Sequence, residues 1–183
     1  MSPTGDWRKS KIIGSMLCSS SDITTRCIMG NIAFQSFSKI WIRRSRIPLK
    51  KKLRLYAACV LIMMYNSNSW AAPKVAMDKL DAYHRKHIRA VTCHRWPHSF
   101  ISNDTLYSMC NATPLSTKVA QLRWSMFGHV LRMPENTPAQ RALEFAVVAS
   151  NKYQARKGRH YTNLLSTLRA DLKEAKMGTL RTC

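Results

Sequence analysis

From Ile23 through Met77 the chain holds no carboxylate, while Arg26, Lys39, Arg43, Arg44, Arg46, Lys50, Lys51, Lys52, Arg54 and Lys74 all fall inside that stretch. A surface helix ordinarily offsets such cations with acidic residues three or four positions away. Helices built from this segment must therefore draw their stability from an apolar face, and their counter-charge has to come from outside. The imbalance extends to the whole chain of 183 residues, in which 30 Lys and Arg face 9 Asp and Glu for a formal charge of +21. A hydrophobic share of 45% still supports a packed core and argues against a disordered polycation. A compact body with this charge repels itself and persists most easily beside a polyanion. Nucleic acid is the first candidate and an anionic membrane face the second.

The strongest apolar run, Leu55 to Tyr65, is bounded by Arg54 and Asn66 and is much shorter than the ~20 residues a spanning helix needs. It is expected as a buried helix, and no membrane association is expected. Lys50 to Arg54, the apolar run and Trp70-Ala71-Ala72 imitate a signal peptide, but they lie internally. The six cysteines show no Cys-x-x-Cys spacing, which suits reduced, mostly buried thiols and a nuclear or cytoplasmic setting rather than a secreted one.

Periodicity predicts a mainly α chain: a helical bundle of about six to seven helices with a short β-strand stub at the N-terminus. The stub spans 11–18 and is broken by Gly14. Ser19-Ser20-Ser21-Asp22 offers N-caps for a first helix, with Ile23, Cys27, Phe34, Phe37, Ile40 and Trp41 near one face. Pro48 and Pro73 are placed to open the next two helices at first-turn positions. In the second of these, Asp78 and Asp81 precede Arg85 at spacings that favour helix-face ion pairs. An irregular link at 92–100 contains Trp96-Pro97, and shorter helices follow after Ser102, Ser116, Thr137 and Tyr161. Two blocks are expected, 10–91 and 100–176.

Catalytic constellations are hard to find. Two-metal phosphoryl transfer needs clustered acids, whereas Asp6 and Asp22 stand alone and Glu135, Glu144, Asp171 and Glu174 are scattered. The best metal candidate, Cys93, His94, His98 and Cys110, has an awkward adjacent first pair. His84 and His87, one turn apart beside Tyr83, could line a site, but packing beside Leu80 and Ile88 suits them better. No catalytic residue, metal or cofactor is expected. Phosphate contact has more support, because it needs Lys and Arg placed to displace condensed counterions. Arg43, Arg44, Arg46, Lys50, Lys51, Lys52 and Arg54 form the main candidate surface, and Arg156, Lys157 and Arg159 a second. Trp41 and Tyr56 fall on apolar faces, so they are assigned to the core and phosphate contact to the charges.

Several strings, in order, resemble the end of the palm and the thumb of non-LTR (LINE-type) retrotransposon reverse transcriptases. They are Lys11-Ile12-Ile13-Gly14-Ser15, Ser21-Asp22-Ile23 with Arg26, Phe34 through Trp41, Lys52-Leu53-Arg54-Leu55-Tyr56, Val60-Leu61, Tyr65 and Trp70. The next part resembles the region after the thumb: Tyr83-His84-Arg85, Arg95-Trp96-Pro97, Ile101-Ser102-Asn103, Leu106-Tyr107, Leu122-Arg123-Trp124 and Phe127 through Pro134. The most specific item is Gly128-His129-Val130-Leu131-Arg132-Met133-Pro134. The matches run over about residues 10–170.

The resemblance implies a nonenzymatic part of an RNA-directed DNA polymerase. The family's catalytic aspartates lie upstream in a Tyr/Phe-Ala-Asp-Asp turn that nothing here matches, and its Cys-Cys-His-Cys knuckle has no counterpart. The family's basic Gly-Arg-Arg-Gly-Arg-Pro-like segment is represented by Ala155-Arg156-Lys157-Gly158-Arg159-His160, without the proline. The implied partners are the template–primer backbone, as RNA, DNA or hybrid, and the palm and fingers of such an enzyme. Backbone contacts of this kind position a duplex and carry no base code. The alternative is a structural or nonfunctional remnant whose apolar faces require a protein partner, which an exposed Ile13, Met16 or Leu17 on an unpaired strand edge would favour. A cationic membrane-surface helix around 39–65 ranks below both.

Overall fold

The computed structural model describes residues 10–12, 14–42, 46–94, 97, 99–152 and 162–174, and these are mainly helical. The chain opens with a small antiparallel hairpin, β1 (Lys11–Ile12) and β2 (Ser15–Met16), in which Ile12 pairs with Ser15. Gly14 takes φ +80 in the two-residue loop, a conformation open to glycine at little cost. Among the described residues seven α-helices follow: α1 (Ser19–Phe37), α2 (Leu49–Met63), α3 (Lys74–Val91), α4 (Asn103–Cys110), α5 (Leu115–Leu131), α6 (Pro138–Lys152) and α7 (Leu164–Glu174). A π-turn, Ser38–Ile42, extends α1. The expected helical class and N-terminal stub are both present.

The boundaries follow the punctuation of the sequence with small offsets. Pro48 and Pro73 stand at the N-caps, one place before the first turn expected for them, and their carbonyls accept the amides that open α2 and α3. Ser102 caps α4 by accepting the Thr105 amide at 3.1 Å. Ser19, Ser20 and Ser21 form the first turn of α1 rather than capping it, since Cys18 holds the N-cap position. The helix ends use left-handed residues other than glycine. Cys93 (φ 61) ends α3, with the His94 amide reaching back to the Arg89 carbonyl, and Asn111 (φ 45) ends α4 in the same manner through the Ala112 amide and Tyr107. Cys93 thus serves as a helix terminator.

The contacts divide the chain into two units, 1–66 with 73–118 and 67–72 with 119–183. The first holds the hairpin and α1 to α4. Here Asp22, expected to stand alone, is buried and accepts the Met16 amide at 3.1 Å and Arg26 Nε at 2.9 Å. Arg26 also donates to Ser15 Oγ and to the Met63 carbonyl, so one ion pair fastens β2, α1 and the end of α2 together. Asp81 departs from its expected pairing with Arg85: it is buried and accepts both the amide and the hydroxyl of Ser116, at 3.0 and 2.6 Å, holding the start of α5. Close packing of α1 on α3 requires Gly30, where a Cβ would overlap the Tyr83 hydroxyl.

In the second unit Phe127, Leu165 and Leu168 form a core with Trp124, Leu143 and Val147 packed against it. Arg123 is buried on α5 and donates to the Asp171 carboxylate of α7. Removing one partner of such a pair strands the other in a medium that solvates it poorly. Asp171→Ala is therefore expected to lower stability by about 3 kcal/mol, read as a lower urea midpoint. A midpoint within experimental error of the parent would show that Arg123 needs no partner.

Candidate nucleic-acid interface

Four of the expected phosphate-contacting residues are exposed. Arg46 lies in the turn before α2, and Lys50, Lys51 and Arg54 project from its first two turns. Lys50 and Arg54, four residues apart, share a helical face, and Lys51 adjoins it. Lys52 departs from the group: it is only 9% exposed and lies on the helical face of Tyr56, Val60 and Met63. Arg43, Arg44, Arg156, Lys157 and Arg159 lie outside the described residues. The first turn of α2 holds no acidic residue, so its lysines sit at the positive end of the helix dipole, where an anion is the favoured neighbour.

Trp41 corrects the assignment of rings to the core. It sits on the π-turn and is 50% exposed, beside exposed Lys39 and Ile40, whereas Tyr56 is buried as expected. The apolar pattern of α1 suggested a single buried face through Trp41, but the wider π-turn rotates the end of the helix away from that register. An exposed indole among cations is a plane on which a base can stack.

Beneath this surface the first unit is held by rings. Tyr56 donates from its hydroxyl to His84 Nδ1 at 2.9 Å and stacks on that imidazole, with ring centres 5.6 Å apart. Burial pushes the Tyr56 phenol well above its ordinary range, so it remains a donor. His87 Nδ1 donates to the Tyr83 carbonyl at 2.8 Å, and its ring meets Phe34 edge-to-face at 4.3 Å. Both histidines are buried, as packing beside Leu80 and Ile88 implied. Burial above all, with help from Lys118 and His87, brings His84 down to about 4, and burial likewise lowers His87.

Cys93 is exposed, His94 binds the Thr92 carbonyl through Nδ1, and His98 is outside the described residues. Among the described residues no three His, Cys, Asp or Glu gather closely enough to hold a metal ion. Burial raises the Cys27 thiol to about 11 and raises Cys59 and Cys110 as well. No helix among the described residues is long and apolar enough to cross a membrane.

The histidine core makes stability pH-dependent. The unfolded chain takes up a proton near pH 6.5 that folded His84 refuses until about 4, so its contribution is complete above 6.5 and is lost as pH falls through that window. Between pH 7 and pH 4.5 roughly 2–3 kcal/mol should disappear from the urea unfolding free energy. His84→Gln, which keeps an acceptor for Tyr56 and cannot titrate, should flatten the profile. An equally steep profile in that variant would place the acid sensitivity elsewhere. Comparison of the chain with protein-family models, with curated proteins and with solved structures finds no match.

Proposed function

We propose that the chain is a nonenzymatic, nucleic-acid-binding module, corresponding to the thumb and post-thumb region of a LINE-type reverse transcriptase, that grips a template–primer backbone without reading bases. The observation that carries this reading is a group of four exposed cations close in sequence, Arg46, Lys50, Lys51 and Arg54, with no acidic side chain paired to them among the described residues. Phosphates would replace the counterions these cations gather. Trp41 adds a stacking plane on the preceding π-turn, which suits a strand end or an unpaired nucleotide.

A second reading has one observation in its favour. Ile28, Met29, Ile32, Phe37 and Ile40 on α1 and its extension are exposed, as is Leu17 after the hairpin. Such a stripe would pack on a protein, and in the reverse-transcriptase reading that protein is the polymerase palm. The two readings are compatible, since a thumb holds nucleic acid on one side and its enzyme on another.

Lys50→Ala/Lys51→Ala should weaken binding to RNA–DNA hybrid and to DNA duplex of unrelated sequences by the same factor, about tenfold at low salt, in a fluorescence anisotropy titration. Both residues are exposed, so the urea midpoint should remain that of the parent. Unchanged binding, or a loss confined to one sequence, would remove this surface from the account.

A further inference from the structure

A separate cleft lies between α1 with its π-turn and α3, and encloses about 280 Å³. Its walls carry Asn31, Gln35, Lys39, Lys86, Phe34 and His87, and no carboxylate lines it. Asn31, Gln35 and Lys39 recur at helical spacing of four, so one face of α1 supplies three polar groups to the same space. Lys86 faces them from α3, one position before the His87 whose ring packs edge-to-face on Phe34.

Two donors of this cleft are already committed. The Ser38 hydroxyl, also on its wall, donates to the Gln35 carbonyl, and His87 Nδ1 donates to the Tyr83 carbonyl. Among the described residues the side chains of Asn31, Gln35, Lys39 and Lys86 make no hydrogen bond or ion pair. Two lysines and two carboxamides therefore line one recess that no carboxylate enters. Its lower edge is the π-turn, a helical distortion that recurs where side chains are re-aimed for function.

Charge decides which oxyanion suits it. A phosphodiester carries one negative charge and would leave one ammonium uncompensated, whereas a phosphomonoester carries close to two near neutral pH and offers three terminal oxygens. We propose that this cleft binds a phosphomonoester group, held by Lys39 and Lys86 with Asn31 and Gln35 as further donors. The group can come from a free mononucleotide or from the 5′-phosphate of a nucleic-acid strand. Only the strand-end source rests on the nucleic-acid reading above.

The test uses the full chain, three small ligands and one pair of strands. Amide chemical shifts are followed during titration with inorganic phosphate, with adenosine monophosphate and with adenosine. The affinity of a 5′-phosphorylated single strand is measured beside that of its 5′-hydroxyl twin. Adenosine monophosphate should shift resonances of the Asn31–Ile42 segment while adenosine does not, and the 5′-phosphate should tighten strand binding about fivefold. Lys39→Ala/Lys86→Ala should abolish both effects, whereas Lys50→Ala/Lys51→Ala should weaken the two strands equally and preserve their ratio. Should the alanine pair lower the urea midpoint, Lys39→Gln and Lys86→Gln serve in its place. A mononucleotide response without a strand-end advantage keeps the site and assigns it to free nucleotides. No response to adenosine monophosphate together with no strand-end advantage overturns the proposal, as does an advantage that survives in Lys39→Ala/Lys86→Ala. A chain that binds no duplex but still binds adenosine monophosphate would retain this site while losing the interface described above.

Discussion

Nine carboxylates serve a chain with 30 Lys and Arg, and the structure depends on three of them being turned inward. Asp22 joins the hairpin to α1 and, through Arg26, to the end of α2. Asp81 on α3 holds the start of α5, and Asp171 on α7 holds the buried Arg123 of α5. Each links elements that are remote in sequence, in places where a neutral side chain would leave amides or a guanidinium without partners. Carboxylates used in this way cannot neutralise the surface. The exposed acids Asp78, Asp104, Glu135 and Glu144 form no ion pair among the described residues, so the cations of α2 have no internal counter-charge.

With so few ion pairs available, cohesion in the first unit comes from rings and one close helix approach. Tyr56, Tyr83, His84, His87, Phe34 and Tyr107 form a chain of stacked and edge-to-face contacts. The Tyr56 hydroxyl and His84 Nδ1 hydrogen-bond at its centre, and burial keeps the phenol protonated. Neutral imidazoles let these helices pack without adding positive charge to a chain that already has an excess.

Much of this architecture was legible in the residues, and for local reasons. Pro48, Pro73, Ser102 and Pro138 mark helix starts through backbone rules that act over a few residues, and the structure places α2, α3, α4 and α6 at those marks. Tertiary partnerships were not legible. Asp81 has a good helix-face partner in Arg85 by spacing, yet Ser116, 35 residues away, takes it. Asp171 reads as scattered until Arg123 is seen to be buried. Within the candidate interface, Lys50, Lys51 and Arg54 were legible from charge alone, whereas the inward Lys52 is set by the phase of α2 and the outward Trp41 by the π-turn. The face that carries Asn31, Gln35 and Lys39 has a visible spacing of four, but the cleft exists only once Lys86 faces it.

The central claim is that an external polyanion supplies the counter-charge that the chain lacks. Its most direct test is the dependence of hybrid-duplex affinity on salt, plotted as log K against log salt concentration for the parent chain. Engagement of Arg46, Lys50, Lys51 and Arg54 with phosphates predicts a straight line of slope about −3 to −4, the same for unrelated sequences. A slope near zero, or binding confined to one sequence, would contradict the account.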